Sequence, residues 1–262
     1  MVKPGAALVT GGAQRLGAAM ARALAEDGWS VAVSYMGSAD AADALVAELT
    51  DLGATAVAVS ADFLIEAEVE ALVPAAAEAL GAPLTCLVNN ASIFEYDNIE
   101  TATRESWDRH LESNLRAPFL LTQRFAEQAP EAGRDEAGEP VASACVVNMI
   151  DQRVWKLTPE FMTYTIAKMG LWAFTRTAAQ ALAPRIRVNG VGPGPTLRGG
   201  RQTEEHFAAQ RANTVLERGA GPSDIVAALR FILASPALTG QMLAMDGGQH
   251  LGWRTPDVIG VE

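Results

Sequence analysis

Short apolar runs alternate with longer segments rich in alanine and leucine along the chain. In order, the apolar runs are AALVT, SVAVSY, TAVAVSA, TCLVNNA, SACVVNMI, IRVNGVG and QMLAMD. The segments between them predict helices at about 15–28, 39–52, 65–80, 104–128, 161–183 and 222–234. Runs that are apolar at nearly every position are typical of strands covered on both faces. The pattern therefore predicts a single α/β domain over residues 1–262, with a parallel sheet of about seven strands and helices on both faces.

Two segments depart from this alternation. Residues 129–140 are polar, acidic and glycine-containing, which predicts a solvated loop. Residues 194–215 begin with glycines and prolines and end in a charged helical stretch. This second segment is either a mobile flap over a site or a plain connection.

Composition and charge narrow the class of partner. Of the 262 residues, 49% are hydrophobic and 19% are charged, which is ordinary for a soluble protein with a sizeable core. The net charge of -11 leaves no basic face for a nucleic acid and disfavours an anionic membrane surface. Neither a signal-peptide pattern nor an apolar stretch long enough to cross a bilayer is found in the sequence. We therefore expect a cytoplasmic protein that acts on a small molecule.

The cysteines and histidines do not predict a metal site. Cys86 and Cys145 lie in strand-like runs and are expected to be buried, reduced thiols. His110, His206 and His250 are scattered without metal-ligand spacing, so we expect them at the surface or in loops.

A glycine-rich turn, TGGAQRLG, follows the first predicted strand and opens a helix. Gly11, Gly12 and Gly17 would let the backbone approach a pyrophosphate, whose charge is met by the helix N-terminus. The spacing departs from the G-x-G-x-x-G fingerprint, and a tight structural turn is the alternative. Its position after the first strand favours dinucleotide binding.

The end of the second predicted strand bears on the choice of coenzyme. A carboxylate there would bind an adenosine ribose and repel a 2′-phosphate, but this chain has Tyr35. Arg15, in the glycine turn, could bind a phosphate with its guanidinium. Together these residues favour NADP over NAD. The alternative for Arg15 is an exposed side chain on a first helical turn.

A tyrosine and a lysine in one predicted helix suggest proton transfer. Tyr164 and Lys168 are four residues apart, so both side chains lie on one helix face. An ammonium group beside a phenol is expected to lower the phenol's pKa toward neutrality and make it a general acid. Their context consists, in chain order, of the glycine turn, LVNNAS, Asn114 in ESNLRAP, RVNGVGPG and MDGG.

With these motifs the chain resembles the short-chain dehydrogenase/reductase family over essentially its full length. The resemblance implies a Rossmann-type domain, hydride transfer with a nicotinamide dinucleotide, here NADPH, and catalysis by Tyr164 with Lys168 on the nicotinamide ribose. It implies that Asn114 holds a water in the proton relay. It also implies a set of cofactor-binding positions: Gly11, Arg15, Leu16, Gly17, Tyr35, Ser38, Asp62, Asn90, Ala91, Tyr164, Lys168, Pro193, Gly194 and Thr196.

The departures from the family pattern concern the substrate. Most members carry serine thirteen residues before the tyrosine, whereas this chain has Asp151. A carboxylate repels a developing alkoxide but can accept hydrogen bonds from a protonating heterocycle. The aromatic Phe94, after Ser92, could lie over such a flat ring.

These departures resemble the pteridine reductase and dihydromonapterin reductase branch. The resemblance implies reduction of a dihydropterin, and in some members of dihydrofolate, by NADPH. The residues it places around the substrate are Arg15, Ser92, Phe94, Asp151 and Tyr164. No metal is implied.

Two other functions remain open from the sequence. In a carbonyl or 3-oxoacyl reductase of the same family, Asp151 would cap a helix or pair with a cation, and Phe94 would be a pocket wall. In a silent nucleotide-sensing module the proton relay would be unnecessary, yet Asn114, Tyr164 and Lys168 are all present. Enoyl reductases of related fold space the tyrosine and lysine more widely.

The helix that contains Tyr164 is apolar nearly all round, so it needs burial on more than one side. Met169, Trp172 and Ala173 are expected to pack on a symmetry mate, which predicts a homodimer or homotetramer. For Trp155 and Trp253, packing is the default expectation and lining of the site is the alternative.

Overall fold

Seven parallel strands form the central sheet of the computed structural model, which describes residues 2–255 and residue 258. Residues 1, 256, 257 and 259–262 of the predicted domain lie outside the described residues. The strands of the sheet are β1 (Ala6–Val9), β2 (Ser30–Tyr35), β3 (Ala56–Ser60), β4 (Leu84–Asn89), β7 (Ala144–Met149), β8 (Ile186–Pro193) and β9 (Met242–Met245). Between β4 and β7 in the chain, β5 (Gly133–Arg134) and β6 (Pro140–Val141) form a short antiparallel hairpin, so the segment predicted as a solvated loop is exposed but partly paired.

Helices cover both faces of the sheet. They are α1 (Arg15–Glu26), α2 (Ala39–Asp51), α3 (Glu66–Leu80), α4 (Arg104–Leu111), α5 (Ala117–Gln128), α6 (Met162–Leu182), α7 (Glu204–Ala212) and α8 (Pro222–Ala234). Alternate residues of β1 belong to different cores, with Val9 packing with α1, α2 and α8, and Leu8 packing with α3, α5 and α6. In the part of the chain that the structure describes, no helix is both long and apolar enough to cross a membrane.

The strand order β3-β2-β1-β4-β7-β8-β9 is that of a doubly wound sheet. The chain proceeds outward from β1 to β3 and then returns to place β4 on the other side of β1. Ligands of such sheets bind at the carboxyl ends of the strands, where the direction of winding reverses. The predicted single Rossmann-type α/β domain is confirmed, and its topology places the glycine turn beside the segment that follows β4.

The helix predicted at about 104–128 is interrupted by a π-helical turn, Glu112–Arg116, between α4 and α5. The expectation of one regular helix was therefore wrong. Pro118 has no N–H and cannot donate to the carbonyl of Asn114 four residues earlier. The chain widens instead, and the Ala117 N–H donates to the carbonyl of Glu112. Such π turns are frequent at functional sites.

The two cysteines face each other across neighbouring strands. Cys86 on β4 and Cys145 on β7 are in register, free and fully buried. Burial raises the pKa of both thiols, that of Cys145 to about 11. The prediction of buried, reduced cysteines is confirmed.

One face of α6 is apolar and partly exposed. Ile166 and Met169 are 40% and 38% exposed, and Phe119 of α5 is 42% exposed and packs on Phe174. An apolar face of this kind fits the predicted dimer or tetramer, which remains a prediction.

Candidate active site

A cavity of about 1360 Å³ lies at the carboxyl ends of the strands. Typical small-molecule pockets measure roughly 300–1000 Å³, so this one has room for a dinucleotide and a second small molecule. All fourteen residues of the predicted cofactor set and all five of the predicted substrate set line it, whereas Gly12 of the glycine turn and Asn114 do not. Trp155 and Trp253 are exposed and lie outside the lining, so the alternative of a pocket role for them is not supported.

The glycine turn is packed against the segment after β4. Gly11 has φ +56, and a Cβ there would lie 3.0 Å from the Cα of Ala91. A Cβ on Gly17 would lie 2.7 Å from Nδ2 of Asn90. This amide donates to the carbonyls of Thr10 and Gly11, at 2.9 and 3.1 Å. Because Gly11 and Gly17 have no side chains, the backbone at the N-terminus of α1 is left open to a ligand. We call this surface the glycine cradle.

The far end of the cavity is lined by residues that follow β2 and β3. Tyr35, the last residue of β2, is half-buried, and Ser38 precedes α2. Asp62 follows β3, where its Oδ1 accepts the N–H of Leu64 at 2.9 Å. The end of β2 carries no carboxylate that would repel a 2′-phosphate.

Arg15 has a left-handed backbone conformation, with φ +54, at the start of α1. Its guanidinium donates to the carbonyls of Arg198 and Leu197, at 3.1 and 3.4 Å. Arg15 is exposed on the first turn of α1, as the alternative interpretation holds, and its side chain also connects the glycine turn to residues 197–198. Its predicted role at the 2′-phosphate and at the substrate remains a prediction.

Residues 194–202 form a flap along the cavity, followed by α7. The flap begins beside β9, where a Cβ on Gly194 would lie 2.6 Å from that of Asp246. The hydroxyl of Thr196 then donates to the carbonyl of Gly194 at 3.1 Å. A second arginine, Arg201, donates to the carbonyl of Phe94 at 2.6 Å. The segment borders the cavity, as a flap would, and its mobility remains a prediction.

Tyr164 and Asp151 are directly hydrogen-bonded. The Tyr164 hydroxyl donates to Oδ2 of Asp151 at 2.9 Å, while Oδ1 accepts the N–H of Arg153 at 2.8 Å. The aspartate therefore caps the short 3-10 helix Gln152–Val154 with one oxygen and holds the tyrosine with the other. Lys168 is buried, donates to the carbonyl of Met149 at 2.8 Å and lies 5.7 Å from the centre of the Tyr164 ring.

The pKa of Tyr164 differs from the sequence-based expectation. Burial and the neighbouring Asp151 raise the pKa of the phenol well above its usual value, whereas Lys168 was expected to lower it. The carboxylate is in direct contact with the phenol and outweighs the ammonium group. Burial also raises the pKa of Asp151 and lowers that of Lys168 to about 8. At neutral pH Tyr164 is therefore protonated and able to donate.

Asn114 lies in the π turn and acts on the segment that follows β4. Its Oδ1 accepts the N–H of Ile93 and its Nδ2 donates to the carbonyl of Ile93, both at 2.8 Å. The side chain is thereby occupied and holds Ser92 and Phe94 in place. Pro118 has no N–H to donate to the backbone carbonyl of Asn114. This carbonyl, and not the occupied side chain, can therefore hold the predicted water.

Phe94 is part of an aromatic cluster that the sequence did not predict. Its ring stacks on Phe161 at 4.3 Å between centroids and 9° between planes, and meets the Tyr164 ring edge-on at 4.7 Å. Phe161 has φ +56, which is a strained conformation for a bulky residue and is concentrated at functional sites in proteins. Phe161 thus covers one face of Phe94, whose side chain is still 43% exposed.

A buried polar chain lies behind Tyr164. His110 is fully buried, so the expectation of a surface or loop position was wrong for this histidine. Its Nε2 accepts the N–H of Glu95 at 3.1 Å, so the proton resides on Nδ1, which contacts Oγ1 of Thr163 at 2.7 Å. Thr163 in turn donates to Asp97. These bonds fix the first turn of α6 directly before Tyr164, and burial lowers the pKa of His110.

Comparison with known proteins identifies the family. Residues 11–250 match the family model described as "Enoyl-(Acyl carrier protein) reductase". A 3-oxoacyl-[acyl-carrier-protein] reductase of Staphylococcus aureus is 30% identical over 94% of this chain and 98% of its own. The chain belongs to the short-chain dehydrogenase/reductase family.

Two solved structures of this family resemble the chain closely. One is FolM alternative dihydrofolate reductase 1 of Brucella canis complexed with NADP, with a TM-score of 0.90 and 42% identity over 99% of both chains. The other is a short chain dehydrogenase of Burkholderia cenocepacia in complex with NADP, with a TM-score of 0.84 and 33% identity over 93% of this chain and 96% of that one. The protein is an NADP-dependent oxidoreductase of the short-chain dehydrogenase/reductase type, which acts on a small molecule.

The cavity of this short-chain dehydrogenase/reductase fits the coenzyme. The glycine cradle offers a backbone surface and a helix N-terminus to a pyrophosphate. Gln152 is buried in the lining, and its Oε1 has no donor among the described residues, so it offers an acceptor to a bound ligand. No motif or spacing in the sequence pointed to this residue. Within the described residues no cluster of three metal-binding side chains is found.

Proposed function

We propose that this enzyme reduces a dihydropterin, dihydrofolate included, to the tetrahydro form with NADPH. The observation that carries the proposal is the hydrogen bond of 2.9 Å between Tyr164 and Asp151, which stands where a serine hydroxyl is usual in the family. The likeness to the Brucella FolM reductase, named an alternative dihydrofolate reductase, supports it.

The acid–base pair suits a nitrogen heterocycle better than a ketone. A ketone becomes an alkoxide during reduction, and the carboxylate of Asp151 would destabilise that charge. A ring nitrogen takes up a proton, which the Tyr164 hydroxyl can donate, and the Asp151 carboxylate can accept hydrogen bonds from neighbouring N–H groups of the ring. The raised pKa of Tyr164 keeps that proton available at neutral pH.

The coenzyme would lie along the glycine cradle. When bound, NADPH supplies the hydride. Its pyrophosphate would be held by Gly11, Leu16 and Gly17, and its adenosine end by Tyr35, Ser38, Asp62 and Arg15. Its nicotinamide end would be held by the remaining residues of the predicted set, namely Asn90, Ala91, Tyr164, Lys168, Pro193, Gly194 and Thr196.

Lys168 has a positioning and an electrostatic role in this account. Its contact with the Met149 carbonyl holds the ammonium group below the tyrosine ring. There its charge offsets the negative charge of Asp151 and of the phenolate that forms when Tyr164 gives up its proton. Water held at the Asn114 carbonyl would return a proton from solvent.

The aromatic cluster provides a flat surface for the substrate. Phe94 lines the cavity and is 43% exposed beside its stack on Phe161, so it offers a surface to a planar ring, and Ser92 lies in the same segment. Offset stacking of aromatic rings contributes about 0.5–1.5 kcal/mol beyond the area that it buries. A pterin held there would lie next to the Tyr164 hydroxyl.

A 3-oxoacyl reductase is the second candidate, because the Staphylococcus aureus enzyme of that name is 30% identical to this chain. The spacing of Tyr164 and Lys168, four residues on one helix, does not suit an enoyl reductase, in which the two are further apart.

A substrate panel distinguishes these functions. Initial rates would be measured with 7,8-dihydrobiopterin, 7,8-dihydrofolate and a 3-oxoacyl thioester, each with NADPH and with NADH. The proposal expects the highest kcat/KM for a dihydropterin with NADPH. If the thioester is reduced and the dihydropterins are not, the protein is a 3-oxoacyl reductase.

A further inference from the structure

Two arginines of the cavity lining lack a carboxylate partner among the residues that the structure describes. Exposed arginines of this acidic chain often pair with one, as Arg22 does with Glu48 at 2.6 Å. Arg153 and Arg201 both line the cavity, and neither forms an ion pair with any of the described residues. In a protein of net charge -11 this is a local concentration of positive charge at a binding site.

Both guanidinium groups lie near the same aromatic stack. Cζ of Arg153 is 4.8 Å from the centre of the Phe161 ring. Cζ of Arg201 is 5.7 Å from the Phe161 centre and 5.4 Å from the Phe94 centre. Since the rings are parallel, these nearly equal distances place Arg201 beside the stack and not over either outer face. The edge of an aromatic ring is its positive side, so the rings do not offset the charge of Arg201.

Each arginine is held by one hydrogen bond and retains free donors. Arg201 donates through Nη2 to the Phe94 carbonyl at 2.6 Å, and Arg153 donates through Nη1 to Oγ1 of Thr158 at 3.0 Å. A guanidinium has five N–H donors in a planar fork that matches a carboxylate or a phosphate. Both side chains are therefore positioned in advance.

Acidic side chains also lie near Arg153 and Arg201. Asp151 has both oxygens engaged, by the Tyr164 hydroxyl and by the backbone N–H of Arg153. Glu160 lines the same part of the cavity but is exposed to solvent. Arg109 and, to a lesser extent, Arg201 lower the pKa of a third carboxylate, Glu95, which forms its ion pair with Arg109 at 2.7 Å. None of the three carboxylates forms an ion pair with Arg201.

We infer that Arg153 and Arg201 form a subsite for an anionic group on the tail of the substrate, a carboxylate or a phosphate. The inference rests on the proposed function, because the tail is defined relative to a pterin ring at Phe94 and Tyr164. It narrows the substrate class to dihydropterins with an anionic side chain, as in the glutamate of dihydrofolate, over those with an uncharged one.

The test compares three substrates in matched variants. Wild type, Arg201→Gln, Arg153→Gln and Arg201→Lys are assayed with NADPH and dihydrofolate, a dihydropterin with a phosphorylated side chain, or uncharged dihydrobiopterin. Arg134→Gln removes the same charge from the hairpin far from the cavity lining and is the control. For an anionic substrate, kcat/KM should fall roughly tenfold more than for dihydrobiopterin in each glutamine variant, because a charge-assisted bond is lost. Arg201→Lys should recover part of this loss.

The outcomes separate the inference from the function on which it rests. A loss confined to the phosphorylated pterin supports the subsite and identifies a phosphate tail. Equal losses for charged and uncharged pterins overturn the anionic subsite. Arg201 would then serve only to hold the flap against the segment of Phe94. If wild type reduces no pterin, the proposed function fails. The subsite is then tested on its own, by calorimetric titration of the NADP-saturated protein with p-aminobenzoylglutamate. Equal affinity of wild type and Arg201→Gln for that compound then overturns the subsite as well.

Discussion

At the turn after β1 the cavity wall is made of backbone and small side chains, whereas near Tyr164 it is made of large side chains from separate segments. The first region requires glycine, because a Cβ on Gly17 would lie too close to the side chain of Asn90. The second depends on Phe94 and Phe161, 67 positions apart in the sequence, and on the bond between Tyr164 and Asp151. In the proposed function, the first region is a general binding surface for the coenzyme and the second region carries the selectivity for the substrate.

The largest effect is expected in the substrate region. Tyr164→Phe removes the hydroxyl that donates the proton, so reduction of dihydropterin and of ketone should both fall roughly 10²–10⁴-fold. The affinity for NADPH, measured by the change in its fluorescence on binding, should remain near the wild-type value. A variant that retains more than a tenth of the activity would contradict the role of Tyr164.

A substitution in the coenzyme region should act differently. Gly17→Ala forces a Cβ to 2.7 Å from Nδ2 of Asn90, so it should destabilise the fold by about 1–3 kcal/mol and weaken NADPH binding. Thermal unfolding and coenzyme titration measure the two effects. Gly133→Ala is the matched control, since its Cβ would meet nothing closer than 3.8 Å. Unchanged NADPH affinity in Gly17→Ala would show that the cradle does not hold the coenzyme.

Arg15 lies in the coenzyme region and also contacts the flap. Its substitution therefore shows which of these two roles the side chain has. Arg15→Ala should raise the KM for NADPH roughly 10–100-fold more than the KM for NADH, because only the phosphorylated coenzyme loses a charge-assisted bond. Some loss with both coenzymes is expected, since the contacts to the flap carbonyls also disappear. Equal losses with both would assign Arg15 to the flap alone.

The smallest effect concerns the buried chain behind Tyr164. Burial lowers the folded-state pKa of His110, so the unfolded state binds the proton more readily and stability is lost as pH falls below about 6.5. Wild type should therefore lose more thermal stability between pH 7 and pH 5 than His110→Gln does. Melting curves across this range provide the measurement, and parallel pH profiles would contradict the assignment of a neutral, buried histidine.

The contrast between the two regions also explains what the sequence could predict. The helix predicted at about 222–234 is found at Pro222–Ala234, because local apolar periodicity determines it. The glycine turn was equally visible, since its residues are neighbours in the chain. The strained Phe161 and the buried His110 were not, because their positions depend on contacts with Asp97 and Thr163 from other segments.

The electrostatics of the site were predicted in part. The Tyr164 and Lys168 pair on one helix face and the unusual Asp151 were recognised from spacing. The direction in which the pKa of Tyr164 shifts was not predicted, because it depends on full burial and on which charge is in contact with the phenol. Spacing shows which groups are near one another, and the packed structure shows which of them dominates.

In the proposed function, Asp151 selects a pterin over a ketone. This role is tested by the ratio of kcat/KM for a dihydropterin to that for a simple ketone, in wild type and in Asp151→Ser, with NADPH affinity measured in both. We expect pterin reduction to fall roughly 10²–10⁴-fold while ketone reduction is unchanged or improved, so the ratio should decrease by at least that factor. A ratio that does not move, or a wild type that reduces no pterin, would contradict the claim and favour a carbonyl reductase.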